Sequence, residues 1–291
     1  MIFIRSQGQL GNQLFLFSAA RNVQQNREWI VAVGFVELSQ LFKTRPKRVL
    51  WVPVPHRFDR KVKRVFKNLR KLANRFCDCE IVAIGEHPEV RRTAGCHWPL
   101  IFEFGLCQNE KLAPLAAVKN FVWQPNNDAE LREQVTQALS PLDMSPGSFG
   151  FCHVRLGDYR DFSAHGFSPV LPPGFFGRAI DRLRASHPEI PIVVLSDDPD
   201  AAAKMLANQS ACYFPRLDER ESFWVMMNAG CGVLSASTFS WWGARFAREL
   251  RQGPFIAPEY WMGFRAQKWF PSEAIRATFL SYQTVPSNEN G

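Results

Sequence analysis

Short apolar runs alternate along the chain with longer segments whose apolar residues recur at helical spacing. The first apolar run covers residues 2–5, and a glycine-containing turn at 6–11 leads into a helical pattern at 12–27. A second apolar run follows at 29–33. A strand, a turn, a helix and a second strand in this order predict the start of a parallel sheet.

The same alternation continues to residue 140 and restarts after a stretch rich in Pro, Gly and Ser at 141–148. Before that stretch, the pattern predicts a basic amphipathic helix at about 58–76, strands at 80–84 and 99–106, and a helix at 128–140. After it, the pattern predicts strands at 149–154, 191–196, 211–214, 231–236 and 254–258, separated by helices at 172–187, 197–208, 218–230 and 237–250.

Two successive α/β units around a Pro/Gly-rich joint predict an α/β fold with two Rossmann-like lobes facing a cleft. We expect an N-terminal lobe at 1–140, which contains the basic helix 57–76, and a C-terminal lobe at 149–291. The last residues of the chain are free to pack back on the N-terminal lobe.

The composition is that of a globular protein, since 46% of the 291 residues are hydrophobic and 21% are charged. No run approaches the ~18 apolar residues of a membrane span, and the first residues lack a signal-peptide pattern, so we expect a cytoplasmic protein. The seven cysteines include a CxC at Cys77 and Cys79 without a second pair to complete a zinc site. We expect reduced thiols.

The positive charge is concentrated in one segment. Residues 43–75 hold 13 Lys or Arg against the single acid Asp59, so this segment carries +12 and the rest of the chain −4, which gives the total of +8. A local excess argues against a protein that coats nucleic acid. It leaves two interpretations of the basic helix: a solvated surface helix, or peripheral contact with an anionic membrane.

The first candidate site is the sequence FGFCHVRLGDYRDF at 149–162, where a buried strand runs directly into ionisable side chains. His153 and Arg155 are two apart and share a face of the strand. The planar, permanently charged guanidinium of Arg155 suits a phosphate. The alternative is an internal ion pair between Arg155 and Asp158, with His153 as a hydrogen-bonded core residue.

A second group follows the strand 191–196, where Asp197 and Asp198 could accept hydrogen bonds from a nucleobase or ribose. In the alternative, Asp198 caps the next helix and Pro199 takes its first position. Asp198 and Asp200 also form a DxD, a pattern that can hold a metal-bound nucleotide.

A third group lies in the sequence SASTFSWWGA, where a strand ends and a helix begins. A helix N-terminus with hydroxyl groups beside it can bind an anion. The hydroxyls belong to Ser235, Ser237, Thr238 and Ser240. The alternative is ordinary helix capping with tryptophans in the core. Arg155 and this helix start together would suit a diphosphate.

Four motifs together resemble the α-1,2-fucosyltransferases of glycosyltransferase family 11. They are GQLGNQLF at 8–15, HVRLGDY at 153–159, LSDDP at 195–199 and ASTFSWWGA at 236–244. The resemblance implies a GT-B-like fold and the transfer of L-fucose, with inversion and no required metal or other cofactor, from GDP-β-L-fucose to the 2-hydroxyl of a galactoside.

The resemblance also implies roles for the matching residues. Arg155 is expected at the donor β-phosphate. Separately, the acceptor hydroxyl must lose a proton, so a carboxylate or His could act as base, with Asp158 as the first candidate and His153 as the second. The expected donor-binding residues are Gly8, Gly11, Asn12, Gln13, His153, Arg155, Asp197, Asp198, Ser235, Ser237, Thr238, Phe239 and Ser240. The N-terminal lobe would be the acceptor side and the C-terminal lobe the GDP-sugar side.

The chain departs from the family pattern at two positions. Leu156 stands where the family has a second arginine, which puts the contribution of that cation to donor binding in doubt. Gln9 replaces a residue beside Gly8 with little expected consequence.

Two other functions remain open from the sequence alone. Fold and motif constrain the nucleotide better than the sugar, so the donor could be a different nucleotide sugar. A non-catalytic carbohydrate- or nucleotide-binding protein is disfavoured, because sugar binding alone needs no diphosphate site. The expected partners are a GDP-sugar, an oligosaccharide or lipid-linked glycan acceptor of the kind used to build O-antigen, and an anionic membrane surface, with no nucleic acid.

Overall fold

The computed structural model describes residues 1–41, 46–54, 59–73, 79–84, 87–92, 100–102, 107–119, 129–251, 253–272, 274 and 276–286. The chain divides into two compact units, Met1–Trp123 and Gln124–Gly291. Of the two cysteines in the CxC of the sequence, Cys77 lies outside the described residues and Cys79 lies within them.

The N-terminal unit is built on a parallel sheet. Its strands are β1 (Ile2–Arg5), β2 (Ile30–Val33), β3 (Val49–Val52), β4 (Cys79–Ile84), β5 (His87–Arg92) and β6 (Leu100–Phe102). Four of them pair in the order β3–β2–β1–β6, all parallel. The predicted parallel pairing of the first two strands is confirmed, with Ile2 opposite Ile30.

The helices of this unit are α1 (Leu10–Val23), α2 (Val36–Leu41) and α3 (Asp59–Ala73). From Leu10 to Ala20, every residue of α1 except Asn12 is buried, so the helix is enclosed on nearly all sides. The basic helix predicted at about 58–76 is α3. Phe66 is its buried anchor and packs with Val62 against apolar side chains of the sheet, including Val31 and Val33.

Three elements of the N-terminal unit differ from the sequence prediction. The strand predicted at 80–84 does not join the parallel sheet but forms an antiparallel hairpin of β4 and β5. The edge strand β3 and the short helix α2 were not predicted. A four-residue edge strand and a six-residue helix carry too few residues to show a periodic pattern.

The C-terminal unit contains a six-stranded parallel sheet. Its strands are β7 (Gly150–Val154), β8 (Ile192–Ser196), β9 (Cys212–Tyr213), β10 (Cys231–Val233), β11 (Phe255–Pro258) and β12 (Ser281–Gln283). They pair in the order β12–β11–β10–β7–β8–β9. β12 was not predicted, because its three half-buried residues follow an irregular segment.

The helices of the C-terminal unit are α4 (Ala129–Ala138), α5 (Pro173–Ser186), α6 (Pro199–Met205), α7 (Glu219–Asn228) and α8 (Thr238–Leu250). All five residues of β7 are buried, as expected for a central strand of a parallel sheet that is covered on both faces. The predicted fold class, a GT-B-like α/β protein with two Rossmann-like units, is confirmed.

The division between the units falls between Trp123 and Gln124, ahead of the Pro/Gly/Ser-rich stretch at 141–148 where the sequence placed it. The helix α4, assigned from the sequence to the first lobe, belongs to the second unit and contacts α7 there. Its buried side chains Leu131 and Val135 account for this position.

Candidate active site

The order of the strands locates a crevice in the C-terminal unit. From β7 the chain continues to β8 and β9 on one side, and then returns to add β10, β11 and β12 on the other. The direction of winding therefore reverses between β7 and β10. In open α/β sheets, ligands bind at such a reversal, beyond the carboxyl ends of the strands. Arg155 follows β7 at this point, and Ser235 follows β10.

The buried hydroxyl of Ser235 connects the two strand ends. Its Oγ accepts a hydrogen bond of 2.9 Å from the backbone N–H of Arg155 and donates one of 2.8 Å to the carbonyl of His153. The backbone N–H of Ser235 donates to the same carbonyl at 3.0 Å. The start of the loop after β7 is thus fixed relative to β10.

The guanidinium of Arg155 lies among carboxylates, and its side chain is only 19% exposed. Nε and Nη2 contact Oδ1 of Asp158 at 2.9 and 2.8 Å, and Nη1 lies 3.2 Å from Oδ2 of Asp197. The ion pair with Asp158 that the sequence left as an alternative is present, and Asp197 adds a second acidic partner. These contacts orient the guanidinium at the crevice.

Asp197 holds the turn after β7 as well as Arg155. Its Oδ1 accepts a hydrogen bond of 2.9 Å from the backbone N–H of Leu156. Its Oδ2 lies so close to Gly157 that a Cβ at that position would approach it to 2.5 Å. The turn therefore needs glycine at 157, because a larger residue would collide with the carboxylate.

Asp198 and Asp200 each form an ion pair with an arginine. Asp198 caps α6 by accepting from the N–H of Ala201 at 3.1 Å, which confirms the predicted cap with Pro199 at the first helical position. Arg160 donates to its other oxygen at 2.8 Å, and this hydrogen bond, with the one from Ala201, lowers the pKa of Asp198. Asp200 pairs with Arg216 at 2.8 Å.

The third predicted group lies at the N-terminus of α8. The hydroxyl of Ser240 donates to the carbonyls of Ser235 and Ser237 at 3.3 and 3.1 Å, so Ser235 and Ser240 use their hydroxyls within the protein. Ser237 precedes the helix, and its side chain makes no capping bond to it. The first-turn N–H groups, including those of Thr238 and Phe239, have no acceptor inside the helix, and no acidic residue lies in that turn. This helix end can accept an anion.

His153 is a weak candidate for the catalytic base. Its side chain is buried beside Phe239, with ring centroids 5.9 Å apart. Burial, followed by the charge of Arg155, lowers the pKa of His153 from 6.5 to about 3. Its Nδ1 has no hydrogen-bond partner among the residues that the structure describes. Asp158, whose side chain is 64% exposed, is the accessible candidate of the two.

Tyr159 belongs to the site although the sequence analysis did not select it. Its hydroxyl donates to the carbonyl of Ala236 at 2.7 Å, and its ring lies 5.9 Å from the guanidinium carbon of Arg155. Burial raises the pKa of Tyr159, so it stays protonated. It connects the loop after β7 to the segment before α8. Only its place within HVRLGDY could have pointed to it.

Leu156, which replaces the second arginine of the family pattern, points into the protein interior. Its side chain is 3% exposed and packs in the main hydrophobic cluster of the C-terminal unit with Val154 and Leu171. At this position the side chain therefore contributes to the core rather than to the crevice surface.

The predicted donor residues Gly8, Gly11, Asn12 and Gln13 lie in the N-terminal unit, at the turn from β1 into α1. Gly8 has φ +67, which favours glycine. The amide of the buried Gln13 donates to the carbonyl of Gly8 at 3.2 Å and to Glu37, and accepts from the N–H of Leu38 at 3.1 Å. Asn12 accepts from Gln108 at 3.0 Å. These side chains hold the turn in place.

Beside this turn is a cavity of about 460 Å³ at the carboxyl ends of β1 and β2. Side chains of both charge signs line it, together with backbone of the turn and apolar groups. The lining includes Arg5, Ser6, Gln9, Gly34, Glu37, Val62 and Lys63. Glu37, Arg5 and Lys63 were not selected from the sequence, because nothing local marks them as facing a common space.

The residues that the structure describes also bear on contact with membranes and metals. No helix among them is long and apolar enough to cross a membrane. Within the same residues, no group of three or more His, Cys, Asp or Glu side chains is placed to hold a metal ion.

The fold and the crevice place this protein in the GT-B-like class of α/β proteins. The chain belongs to glycosyl transferase family 11, whose model matches residues 83–262. The match covers the three C-terminal motifs and leaves the N-terminal GQLGNQLF outside it.

Three known proteins are similar to parts of the chain or to its fold. The O-antigen biosynthesis glycosyltransferase WbnK of Escherichia coli is 31% identical over 114 residues, which is 38% of this chain and 37% of WbnK. The fucosyltransferase NodZ from Bradyrhizobium superposes with a TM-score of 0.50 at 14% identity, over 86% of this chain and 93% of NodZ. The heptosyltransferase WaaC of E. coli gives 0.49 at 13% identity, over 99% and 94%. The likeness to NodZ concerns the fold alone.

Proposed function

We propose that this protein is an inverting galactoside α-1,2-fucosyltransferase, which transfers L-fucose from GDP-β-L-fucose to the 2-hydroxyl of a galactoside in a surface glycan such as O-antigen. The observation that carries the proposal is Arg155 at the reversal of the sheet, opposite the hydroxyl-bearing N-terminus of α8. Membership of glycosyl transferase family 11 and the similarity of one segment to WbnK support it.

In this proposal, the departing diphosphate gains negative charge that fixed donors must stabilise. Arg155 would supply a planar, permanently charged fork, and α8 would supply the N–H groups of its first turn. Thr238 remains as a hydroxyl donor, because Ser235 and Ser240 are engaged with backbone groups and the side chain of Ser237 is hydrogen-bonded to Tyr159. The diphosphate would compete with Asp158 and Asp197 for Arg155.

The acceptor hydroxyl must lose a proton as the glycosidic bond forms. We assign this role to Asp158, which is exposed and contacts Arg155. When the diphosphate draws Arg155 to itself, the carboxylate of Asp158 would be released from this ion pair and would be able to contact the acceptor hydroxyl. Donor binding would thereby prepare the base.

We propose that guanine is recognised near Asp197 and Asp198 and that no metal takes part. The carboxylates of Asp198 and Asp200 are each neutralised by an arginine, Arg160 and Arg216, which supports a structural role for this DxD. No other cofactor is proposed beyond the donor itself.

We also propose that the outer face of α3 makes peripheral contact with an anionic membrane, where lipid-linked acceptors are assembled. Phe66 anchors the helix, while Val65 and Leu69 are 53% and 41% exposed. Exposed cations surround them; they include Lys61, Lys63, Arg64, Lys67 and Lys71. This combination of apolar and basic side chains suits an anionic interface.

The proposed activity is tested by incubating the protein with a set of nucleotide sugars and galactose-terminated acceptors, with products identified by mass. A product heavier than its acceptor by one deoxyhexose residue is expected only with GDP-fucose, and NMR should show an α-1,2 linkage. Transfer from another nucleotide sugar instead would reject the donor assignment. Binding of GDP, read as a raised melting temperature that UDP does not produce, tests the guanine assignment separately.

A further inference from the structure

The loop that follows β7 exposes two large aromatic side chains beside the crevice. Phe162 is 41% exposed and Phe167 is 49% exposed. Exposed aromatic surface next to a polar site is typical of a binding surface. We refer to Phe162 and Phe167 as the aromatic platform.

The loop that carries the platform is held by its own hydrogen bonds. Ala164 and Phe167 exchange backbone hydrogen bonds of 2.8 and 3.0 Å across a tight turn. The two central residues, His165 and Gly166, have φ of 52 and 88, the positive values of a two-residue hairpin turn. The hydroxyl of Ser168 then donates to the carbonyl of Tyr159 at 3.0 Å. Phe167 is therefore presented by an ordered turn, and Phe162 lies two residues before that turn begins.

Phe270, from a later segment of the chain, packs against this loop. The ring of Phe270 lies 5.9 Å from that of Phe162 and 5.3 Å from that of His165, in an edge-on arrangement with the latter. Such contacts stabilise the ring of Phe162 in one position. A pre-formed surface loses little conformational entropy when a ligand binds.

Phe162 links the platform to the candidate active site. The ring of Phe162 lies 6.5 Å from that of Tyr159, and the ring of Tyr159 lies 5.9 Å from the guanidinium carbon of Arg155. Asp158, the proposed base, is adjacent to Tyr159 in the chain and contacts Arg155. A ligand on the platform would therefore lie next to the groups assigned to the reaction.

We propose that the aromatic platform binds a pyranose ring of the acceptor glycan by stacking. A pyranose carries C–H groups on one face and hydroxyls at its rim, so it matches an aromatic surface bordered by polar groups. The exposed residues Asp161, Ser163 and His165 supply such a border. This assignment rests on the proposed function, and it gives the C-terminal unit a part in selecting the acceptor as well as the donor.

Saturation-transfer NMR tests the proposal without requiring turnover. The full-length protein with GDP is mixed with lactose, N-acetyllactosamine and galactosyl-β-1,3-N-acetylgalactosamine. Wild type is expected to bind at least one of them, and the paired substitution F162A/F167A to weaken that binding about 10-fold, while F162W retains most of it. The affinity for GDP should be unchanged. Because the experiment measures only binding, its outcome does not depend on whether the protein transfers fucose.

The control is Tyr213→Ala, which removes a 38% exposed aromatic side chain from the edge strand β9. It should leave saccharide binding at the wild-type level. Absence of binding by wild type to every saccharide, or equal binding by wild type and F162A/F167A, overturns the proposal. A loss of GDP affinity in F162A/F167A would also overturn it, and so would a loss of the binding of this variant to anionic vesicles. Either result would show that the platform binds a different ligand.

Discussion

The side chain of Ser235 and the backbone of Arg155, 80 residues apart in sequence, meet in a hydrogen bond of 2.9 Å. The bond joins the ends of β7 and β10, the two strands between which the winding of the sheet reverses. The sequence placed Ser235 among the donor-binding residues, and in the structure its hydroxyl holds the arginine-bearing turn. Single substitutions can distinguish residues that hold the site in place from residues that contact the donor.

Replacing Ser235 by alanine should leave the buried N–H of Arg155 without its acceptor. We expect a loss of about 1–3 kcal/mol in the free energy of unfolding, measured by urea denaturation. We also expect a lower kcat, because the turn that carries Arg155 is released. Ser240→Ala, which removes only a donor to carbonyls, should cost less in both measurements. An equal loss in the two variants would contradict the special position of Ser235.

Replacing Arg155 by alanine should reduce turnover by ~100-fold or more while the fold is retained, since a pre-organised donor to the leaving diphosphate is lost. Lysine should restore little, because it lacks the planar fork. Arg216→Ala is the matched control, since it removes an exposed arginine that pairs with Asp200. Turnover near the wild-type value in Arg155→Ala would refute the assignment, and circular dichroism verifies folding.

The burial of His153 predicts a pH dependence of stability. Its pKa is lowered from 6.5 to about 3, so the unfolded state takes up a proton over this range and the folded state does not. Stability therefore falls as the pH drops below 6.5, by about 2 kcal/mol at pH 5, and is unaffected above it. His153→Gln should show a smaller difference in unfolding free energy between pH 7.5 and pH 5.

The titration of His153 can also be observed directly. The chain has six histidines, so their ring resonances can be assigned by single substitutions. The His153 signal should not shift between pH 8 and pH 5. A midpoint near 6.5 would show that the ring is accessible, and His153 would then return as a candidate base.

Turnover should persist in excess EDTA, because Asp198 and Asp200 are engaged by Arg160 and Arg216. Asp200→Asn should likewise retain turnover, since its carboxylate pairs with the exposed Arg216 and has no assigned role in the reaction. Loss of activity in EDTA that manganese or magnesium restores, together with an inactive Asp200→Asn, would instead establish a metal-bound nucleotide.

The membrane proposal is tested by cosedimentation of the full chain with vesicles. Binding is expected to phosphatidylglycerol-containing vesicles at low salt, to weaken at high salt, and to be absent with phosphatidylcholine alone. Reversing three charges of α3, in R64E/K67E/K71E, should abolish it. The control R132E/R182E/K268E makes the same change of net charge in the C-terminal unit and should still bind. Failure of wild type to bind at low salt would leave α3 as a helix that only packs on its own sheet.

Much of the fold was predictable because its signals are local. The apolar run of β7, the prolines at the start of α5 and the cap of α6 by Asp198 each lie within a few residues of the structure that they specify. The hairpin of β4 and β5 was not predictable in the same way, because an apolar strand pattern does not state its partner or direction. The unpredicted β12 has three half-buried residues and no clear pattern.

Local patterns in the sequence were enough to identify the alternation of strands and helices, the residue types at the strand ends and the family to which the chain belongs. The contacts of those side chains became visible only in the folded chain. In the folded chain, β10 lies beside β7, and Asp197 contacts both Arg155 and the turn after β7. His153 is buried, and the hydroxyls of Ser235 and Ser240 are hydrogen-bonded to backbone groups. The reason is that a local pattern fixes which face a residue occupies, whereas its partners come from strands that are distant in sequence and adjacent only in the folded sheet.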